Sequence, residues 1–402
     1  MNTLFFIINQ DPFDGSAHGL YCLRNCRGLA EAAPEKMVRL VYPGALSTLF
    51  AFSGRRDGET GEAGLHRMGL SALSNLRLHP LPALRRVRGR SGVTVNAVFF
   101  RAANLFLRRT MVPGDMLASA SFPRLMHFLY GRLDRIGPRV YEVHQLAVLE
   151  RGAEAEETRI EKEVLSQADV LLTTTRELRD RLQNSFPGKV VRNLGLACGF
   201  EPGLVPDRIV ECDGGPRNTP RSFTLAYIGS LYPEQGVFWL VQVWEEIARR
   251  IGVPIRLEIA GGGPREVVRL RELAGERTES VRVHGPVVPE NLPALLQGVD
   301  ALIIPALNRG RMPYVAITKA FDYLGLNRPI LAANLPSIAE VLRPEREAVL
   351  FAPEDADQLA DAVSRISSNA DLTRSLTANC RTRQADFTWK NRSTAWWRTL
   401  GT

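Results

Sequence analysis

Residues Ala301 to Leu342 read ALIIPALNRGRMPYVAITKAFDYLGLNRPILAANLPSIAEVL and dictate the kind of sheet that surrounds them. The apolar run Ala301 to Pro305 predicts a buried parallel strand. Thr318 to Leu324 then keeps helical spacing, with Ala320, Phe321 and Leu324 inward and Lys319 and Asp322 three residues apart. A second apolar run, Pro329 to Ala333, follows at once. Strand, loop, helix, strand is the unit in which a ligand sits beyond the carboxyl ends of the strands and against the positive end of the helix. Lys319 and Asp322 would offer an ammonium to a phosphate and an acceptor-only carboxylate to a ribose diol. The plainer alternative is a solvated ion pair one turn apart. Lysine is scarce among the 51 basic residues, standing only at 36, 162, 189, 319 and 390, so its use at 319 points to a need for a compact charge.

The segment resembles the donor-site signature of family 4 glycosyltransferases, in the variant that reads roughly S-P-x-K-x-x-E-Y. Here it stands as Ala316-Ile317-Thr318-Lys319-Ala320-Phe321-Asp322-Tyr323, followed by the similar Arg328-Pro329-Ile330 and by Leu335-Pro336-Ser337-Ile338-Ala339-Glu340-Val341-Leu342. The resemblance implies an α/β chain of the GT-B class, two Rossmann-like doubly wound parallel sheets facing a cleft, and retaining transfer of a sugar from a nucleoside diphosphate. It implies roles for Asp322 on the ribose, Lys319 on the diphosphate and Thr318 beside it. No metal cofactor is implied.

Working outward, the second half keeps the βαβ rhythm. Phe223 to Ile228, Ile255 to Ala260, Val281 to His284, Ala301 to Ile304 and Ile330 to Ala333 are predicted strands separated by helical stretches. Gly229-Ser230-Leu231-Tyr232-Pro233-Glu234-Gln235-Gly236 closes the first of them and Gly261-Gly262-Gly263 the second, where glycine permits close backbone approach. By resemblance, Gly229, Ser230, Gln235 and Gly262 line the donor, and the backbone of His284, Pro286 and Val287 recognises the base. Two departures stand out. The family usually places Arg and Lys where Ser230 and Gln235 stand, and Tyr314 occupies the position eight before Asp322 where a glutamate is usual. Lys319, or Arg309 and Arg311, would have to replace the missing cations.

The first half is less regular. Leu4 to Ile8, Val38 to Tyr42, Asp115 to Ala120, Arg139 to His144, Asp169 to Thr175 and Lys189 to Leu194 are predicted strands. Leu20 to Ala32, Glu157 to Ala168 and Glu177 to Leu182 are predicted helices, and Ser47 to Arg90 reads as long loops. Gly15, in the turn-rich loop after the first strand, is placed by resemblance near the donor phosphates, and His18 beside it on the acceptor side. His144 ends a strand, where such sheets bind ligands. Glu142-Val143-His144 is similar to the family's E-x-H, which implies that His144 contacts the transferred sugar. Four regions follow: residues 1–197, a linker over 198–222, a nucleotide-sugar domain over 223–380, and a tail over 381–402, where Phe387-Thr388-Trp389 is similar to the family's pattern before a final helix and implies that this helix returns to the first domain.

At 402 residues, 45% hydrophobic and 23% charged, the chain suits two α/β domains. No apolar run is long enough to span a bilayer and Leu4 to Ile8 lacks the pattern of a leader, which suggests a cytoplasmic enzyme. Cys22, Cys26, Cys198, Cys212 and Cys380 contain no CxxC pair, which argues against a structural zinc site and a disulfide framework. The net charge of +8 concentrates between Leu81 and Val140, where Asp115 and Asp134 are the only acids. Residues 85–109 read either as a solvated face with a core-facing helix, or as a surface for anionic membrane on the inner leaflet. Aromatic interleaving is too thin for a nucleic-acid partner. The expected partners are a UDP- or GDP-sugar and a hydroxyl acceptor. A non-catalytic GT-B-like subunit and a nucleotide-sugar epimerase are the rival readings.

Overall fold

The computed structural model describes residues 2–14, 16–44, 58–83, 92–134, 137–200, 204–205, 222–275 and 279–401. The chain divides into two compact units, Met1–Gly195 with Trp389–Thr402, and Leu196–Thr388.

The first unit is built on a seven-stranded parallel sheet of β1 (Leu4–Ile7), β2 (Val38–Gly44), β3 (Leu76–Pro82), β4 (Met116–Ala120), β5 (Arg139–Val143), β6 (Val170–Thr173) and β7 (Val190–Asn193), in the order β3-β2-β1-β4-β5-β6-β7. The chain winds outward from β1 through β2 to β3, then returns to β4 on the other side of β1. Strand order therefore reverses between β1 and β4. Helices cover both faces, so β1, β4, β5 and β6 are buried along their whole length, β1 as an unbroken apolar run and β5 with the charged Arg139 and Glu142 inside it.

The stretch Ser47 to Arg90 is not all loop. It contains a helix, Gly58–Arg67, and β3, which pairs with β2 from Leu76↔Val38 to Pro82↔Gly44. Pro80 and Pro82 hide this strand from a propensity reading. It is tolerated because β3 is the sheet edge, where a missing N–H breaks no outer ladder. Residues 84–91 lie outside the described residues, and with them most of the basic run. The rest of that segment is the helix Gly92–Thr110, which buries Phe99, Ala103 and Leu107 at four-residue spacing while Arg101, Leu105 and Arg108 face out. Among the described residues, no helix is long and apolar enough to cross a membrane.

The helix Trp389–Arg398 belongs to this first unit and packs on the helix Ala17–Ala32. Gly28 permits the approach, since a Cβ there would press on Ser393 Oγ at 2.6 Å. Trp396 is wholly buried in the contact, and Trp397 Nε1 donates to the carbonyl of Leu29 at 3.0 Å.

The second unit carries a six-stranded parallel sheet of β8 (Phe223–Ile228), β9 (Ile255–Ala260), β10 (Val281–Gly285), β11 (Ala301–Ile304), β12 (Ile330–Ala333) and β13 (Ala348–Phe351). Its order is β10-β9-β8-β11-β12-β13, with the reversal between β8 and β11. The five strands expected here are present, and β13 adds an edge. The helix expected over Thr318 to Leu324 is shorter: it is α-helical only over Thr318–Asp322 and tightens to a 3-10 turn over Tyr323–Gly325. A single turn has little macrodipole, so positive charge at this place comes from Lys319 rather than from the helix end.

Candidate functional site

In the second unit the reversal point between β8 and β11 is occupied by Lys319. Its side chain, 8% exposed, runs across Gly229 at the carboxyl end of β8, and a Cβ on Gly229 would collide with Lys319 Cε. Gly229 also holds φ at 150°, so glycine is required twice over. Lys319 Nζ donates to Gln235 Oε1 at 2.7 Å and lies 5.1 Å from the ring centre of Tyr227. Burial brings this ammonium down to about 8, with Asp322 pulling in the other direction. Gln235 is held in place in turn, its Nε2 meeting Met312 Sδ at 3.6 Å. The turn after it is pinned by Gly236, whose φ of 79° brings it against the carbonyl of Pro305 past β11.

The platform beneath is rigid. The Tyr323 hydroxyl takes a bond from Ile228 N at 2.8 Å and gives one to the Ile228 carbonyl at 3.1 Å, and the Tyr227 hydroxyl donates to the Ser230 carbonyl at 2.5 Å. Ser230 and Thr318 are exposed at the surface of the site. Asp322 Oδ1 accepts from Gly199 N at 2.7 Å, while its charge still acts on the Lys319 ammonium. Of the arginines considered as replacement cations, Arg309 pairs with Glu354, and Arg311 lies 3.7 Å from Glu234. The Arg309 pair is exposed and the Arg311 pair half-buried, whereas Lys319 is buried at the sheet's switch point.

Gly262 closes the turn after β9 against the side chain of Leu231. His284 lies on β10, its Nε2 meeting Glu258 Oε2 on β9 at 2.5 Å, while Pro286 and Val287 form the loop beyond. Arg271 donates to the carbonyl of Val283 at 2.9 Å and fixes the start of that loop. Tyr314, at the position of the usual glutamate, is buried.

In the first unit the reversal point between β1 and β4 gathers two histidines. His144, just past β5, and His18, in the first turn of the helix Ala17–Ala32, have ring centres 5.3 Å apart, with Tyr21 and Phe122 packed around them. His144 Nε2 meets Glu142 Oε1 at 2.9 Å, and its backbone N–H donates to Ser121 Oγ at 3.2 Å. Ser121 follows β4 with φ at 57°, a left-handed conformation uncommon for serine, and the bond to His144 is what that conformation secures. Burial and the neighbouring His144 bring His18 down to about 4, so it is neutral at physiological pH. Beside this cluster a pocket of about 200 Å³ is lined by Asn9, Ser121, Phe122, Arg124 and Leu125 among others. Gly15 lies outside the described residues.

Glu142 is buried to 1% exposure, and Oε1 alone accepts from His144, from the Tyr21 hydroxyl and from Arg392. Burial by itself would raise this carboxyl. Arg392, His144 and Tyr21 together hold it at about 2. The pairing of Glu142 with His144 was within reach of the sequence, because residues two apart on a strand share a face. Arg392 was not: nothing local ties residue 392 to residue 142. Among the described residues no three His, Cys, Asp or Glu side chains gather as a metal site.

Comparison with known proteins gives these geometries a context. Residues 222–369 match the family model described as glycosyl transferases group 1. Over the whole chain, sucrose-phosphate synthase from Thermosynechococcus elongatus superposes with a TM-score of 0.72 at 17% identity, covering 100% of this chain and 98% of that one. HepE from Anabaena, solved with UDP, gives 0.67 at 11% identity and covers 100% of both chains. The fold is GT-B. The alpha-D-kanosaminyltransferase of Streptomyces kanamyceticus is 22% identical over 65% of this chain and 68% of its own length. The D-inositol 3-phosphate glycosyltransferase of Actinosynnema mirum is 25% identical over 63% of this chain and 64% of its own. The relatives and neighbours of this GT-B chain are glycosyltransferases.

Proposed function

We propose that the chain is a retaining glycosyltransferase that moves a sugar from UDP or GDP to a hydroxyl acceptor. The observation that carries this reading is the buried ammonium of Lys319, laid over Gly229 at the switch point of the sheet that matches the group 1 family model. A diphosphate arriving there would exchange the amide oxygen of Gln235 for phosphate oxygens, a stronger partner for a desolvated cation. Lys319 is then the replacement for the usual arginine and lysine, and Ser230 and Gln235 are consistent with a site in which one cation does the work of two.

In this reading the bond from the anomeric carbon to the β-phosphate oxygen breaks while the acceptor oxygen bonds the same face of that carbon. The acceptor proton passes to the leaving phosphate oxygen. Catalysis is then largely positioning and stabilisation of the charge that develops on the phosphate, and needs no metal ion. His144 contacts the sugar, with His18 and the Phe122 pocket toward the acceptor, and Asp322 acts at the ribose edge through whatever its bond to Gly199 leaves available. The exposed Arg101, Leu105, Arg108 and Arg109, with Val112 after them, would rest on anionic lipid at the membrane surface.

The test is a transfer assay with UDP- and GDP-sugars against a panel of hydroxyl acceptors, with the product's anomeric configuration read by NMR and with EDTA present in one arm. Product of retained configuration, undiminished by EDTA, is the expected result. Inverted configuration, or transfer abolished by EDTA, would overturn the retaining, metal-free mechanism. Flotation with anionic liposomes decides the membrane contact, since this reading requires association that weakens with salt.

A further inference from the structure

Arg392, in the helix Trp389–Arg398, is 250 residues from Glu142 in the chain and touches it in the fold. Its guanidinium is almost wholly buried and uses every face. Nε donates to the Gly195 carbonyl at 3.1 Å, Nη1 to Asn25 Oδ1 at 2.6 Å and Nη2 to Glu142 Oε1 at 2.5 Å, while the plane lies 5.3 Å from the ring centre of Tyr21. That many directional contacts would exceed what is needed to dock a helix already held by Trp396 and Trp397. What the arginine adds is charge: it keeps a buried carboxylate ionised next to an imidazole.

An ionised carboxylate only accepts, so the nitrogen that faces it must carry the hydrogen. His144 Nε2 faces Glu142 Oε1, which places the hydrogen on Nε2 and leaves the lone pair of the neutral ring on Nδ1. Without Arg392 the buried acid would take up a proton, become a donor, and favour the opposite tautomer. We propose that Arg392 is a positioning residue for His144, setting its tautomer and ring orientation through Glu142. The tautomer follows from Nε2 facing a carboxylate that Arg392 keeps ionised. Its use, an Nδ1 lone pair that accepts from a hydroxyl of the sugar, rests on the transferase reading given above.

The experiment uses the full chain labelled with ¹⁵N-histidine, the six histidines being separated by a His144→Gln control. Long-range ¹H–¹⁵N spectra, taken where His144 is neutral, should show hydrogen on Nε2 in the native protein. Glu142→Gln and Arg392→Gln should each shift His144 toward a mixture or the Nδ1–H form. Both should lower kcat by roughly 10- to 100-fold while leaving the donor KM within about twofold. Arg392→Lys, which keeps the charge, should retain the native tautomer. Native His144 with hydrogen on Nδ1 would overturn the proposal, as would folded variants with unchanged tautomer and kcat. If Arg392→Gln does not fold, Glu142→Gln decides at the same oxygen. A native protein that shows Nε2–H yet transfers no sugar supports the tautomer assignment and overturns the transferase reading instead.

Discussion

Lys319 is the one lysine of the second unit and is buried at its switch point. A buried ammonium hydrogen-bonded to a neutral amide is a costly arrangement, which the diphosphate of the proposed donor would relieve. Lys319→Ala should therefore weaken UDP or GDP binding by more than about tenfold, as measured by calorimetry. Because the group titrates at about 8 without ligand, it is charged below that pH and loses its proton above it. Native affinity should be higher at about pH 7 than at about pH 9, and this dependence should flatten in the alanine variant. Gly229→Ala should cost about 1–3 kcal/mol in denaturant unfolding, because its Cβ meets the lysine stem and its φ of 150° is hostile to a side chain. Glu161 offers a separate check. It is buried, accepts from Ala147 N at 2.7 Å, and is pushed by burial to about 7, above its ordinary 4.5. A raised acid favours the fold only while protonated, so stability is intact below about 4.5 and declines as pH rises through about 7. Glu161→Gln should gain up to about 3 kcal/mol at pH 8 and almost nothing at pH 4. Lys319 stands out in the sequence because lysine is rare in this arginine-rich chain, and the structure places it buried beside Gly229. Its partner does not stand out, since Gln235 lies 84 residues away and acquires meaning only from the β8–β11 neighbourhood. Asp322, three residues from Lys319 on the same short helix, also accepts from Gly199 N, a partner 123 residues away that spacing cannot show.

Among the elements, the strands of the second sheet were readable by two signals: β11 and β12 are continuous buried apolar runs, while β9 and β10 alternate buried and exposed positions. β3 escaped because an edge strand can carry Pro80 and Pro82 and so resembles a loop. The helix Trp389–Arg398 combines both lessons. Its return to the first unit was expected from Phe387-Thr388-Trp389, but its burial of Trp396 and its arginine had no local signal. Trp396→Ala should cost about 3–5 kcal/mol of unfolding free energy, since the side chain is fully buried against the helix Ala17–Ala32. A loss below about 1 kcal/mol would mean that the helix contributes little to the first unit.

For the whole molecule, two parallel sheets with a reversal of strand order in each set the carboxyl ends of β1 and β4, and of β8 and β11, where sheets of this kind bind ligands. The division of labour has a kinetic consequence. His144→Ala, in the first unit, should reduce kcat by at least about 100-fold while leaving nucleotide affinity within about twofold, whereas Lys319→Ala should lose nucleotide affinity. Calorimetric titration of UDP and GDP into the native chain and into Lys319→Ala decides whether Lys319 receives the donor diphosphate. One of the two nucleotides should bind the native chain, and its affinity should fall more than about tenfold in the variant. Equal affinity in both proteins, or no binding of either nucleotide to the native chain, would contradict the assignment of Lys319 as the cation that receives the donor diphosphate.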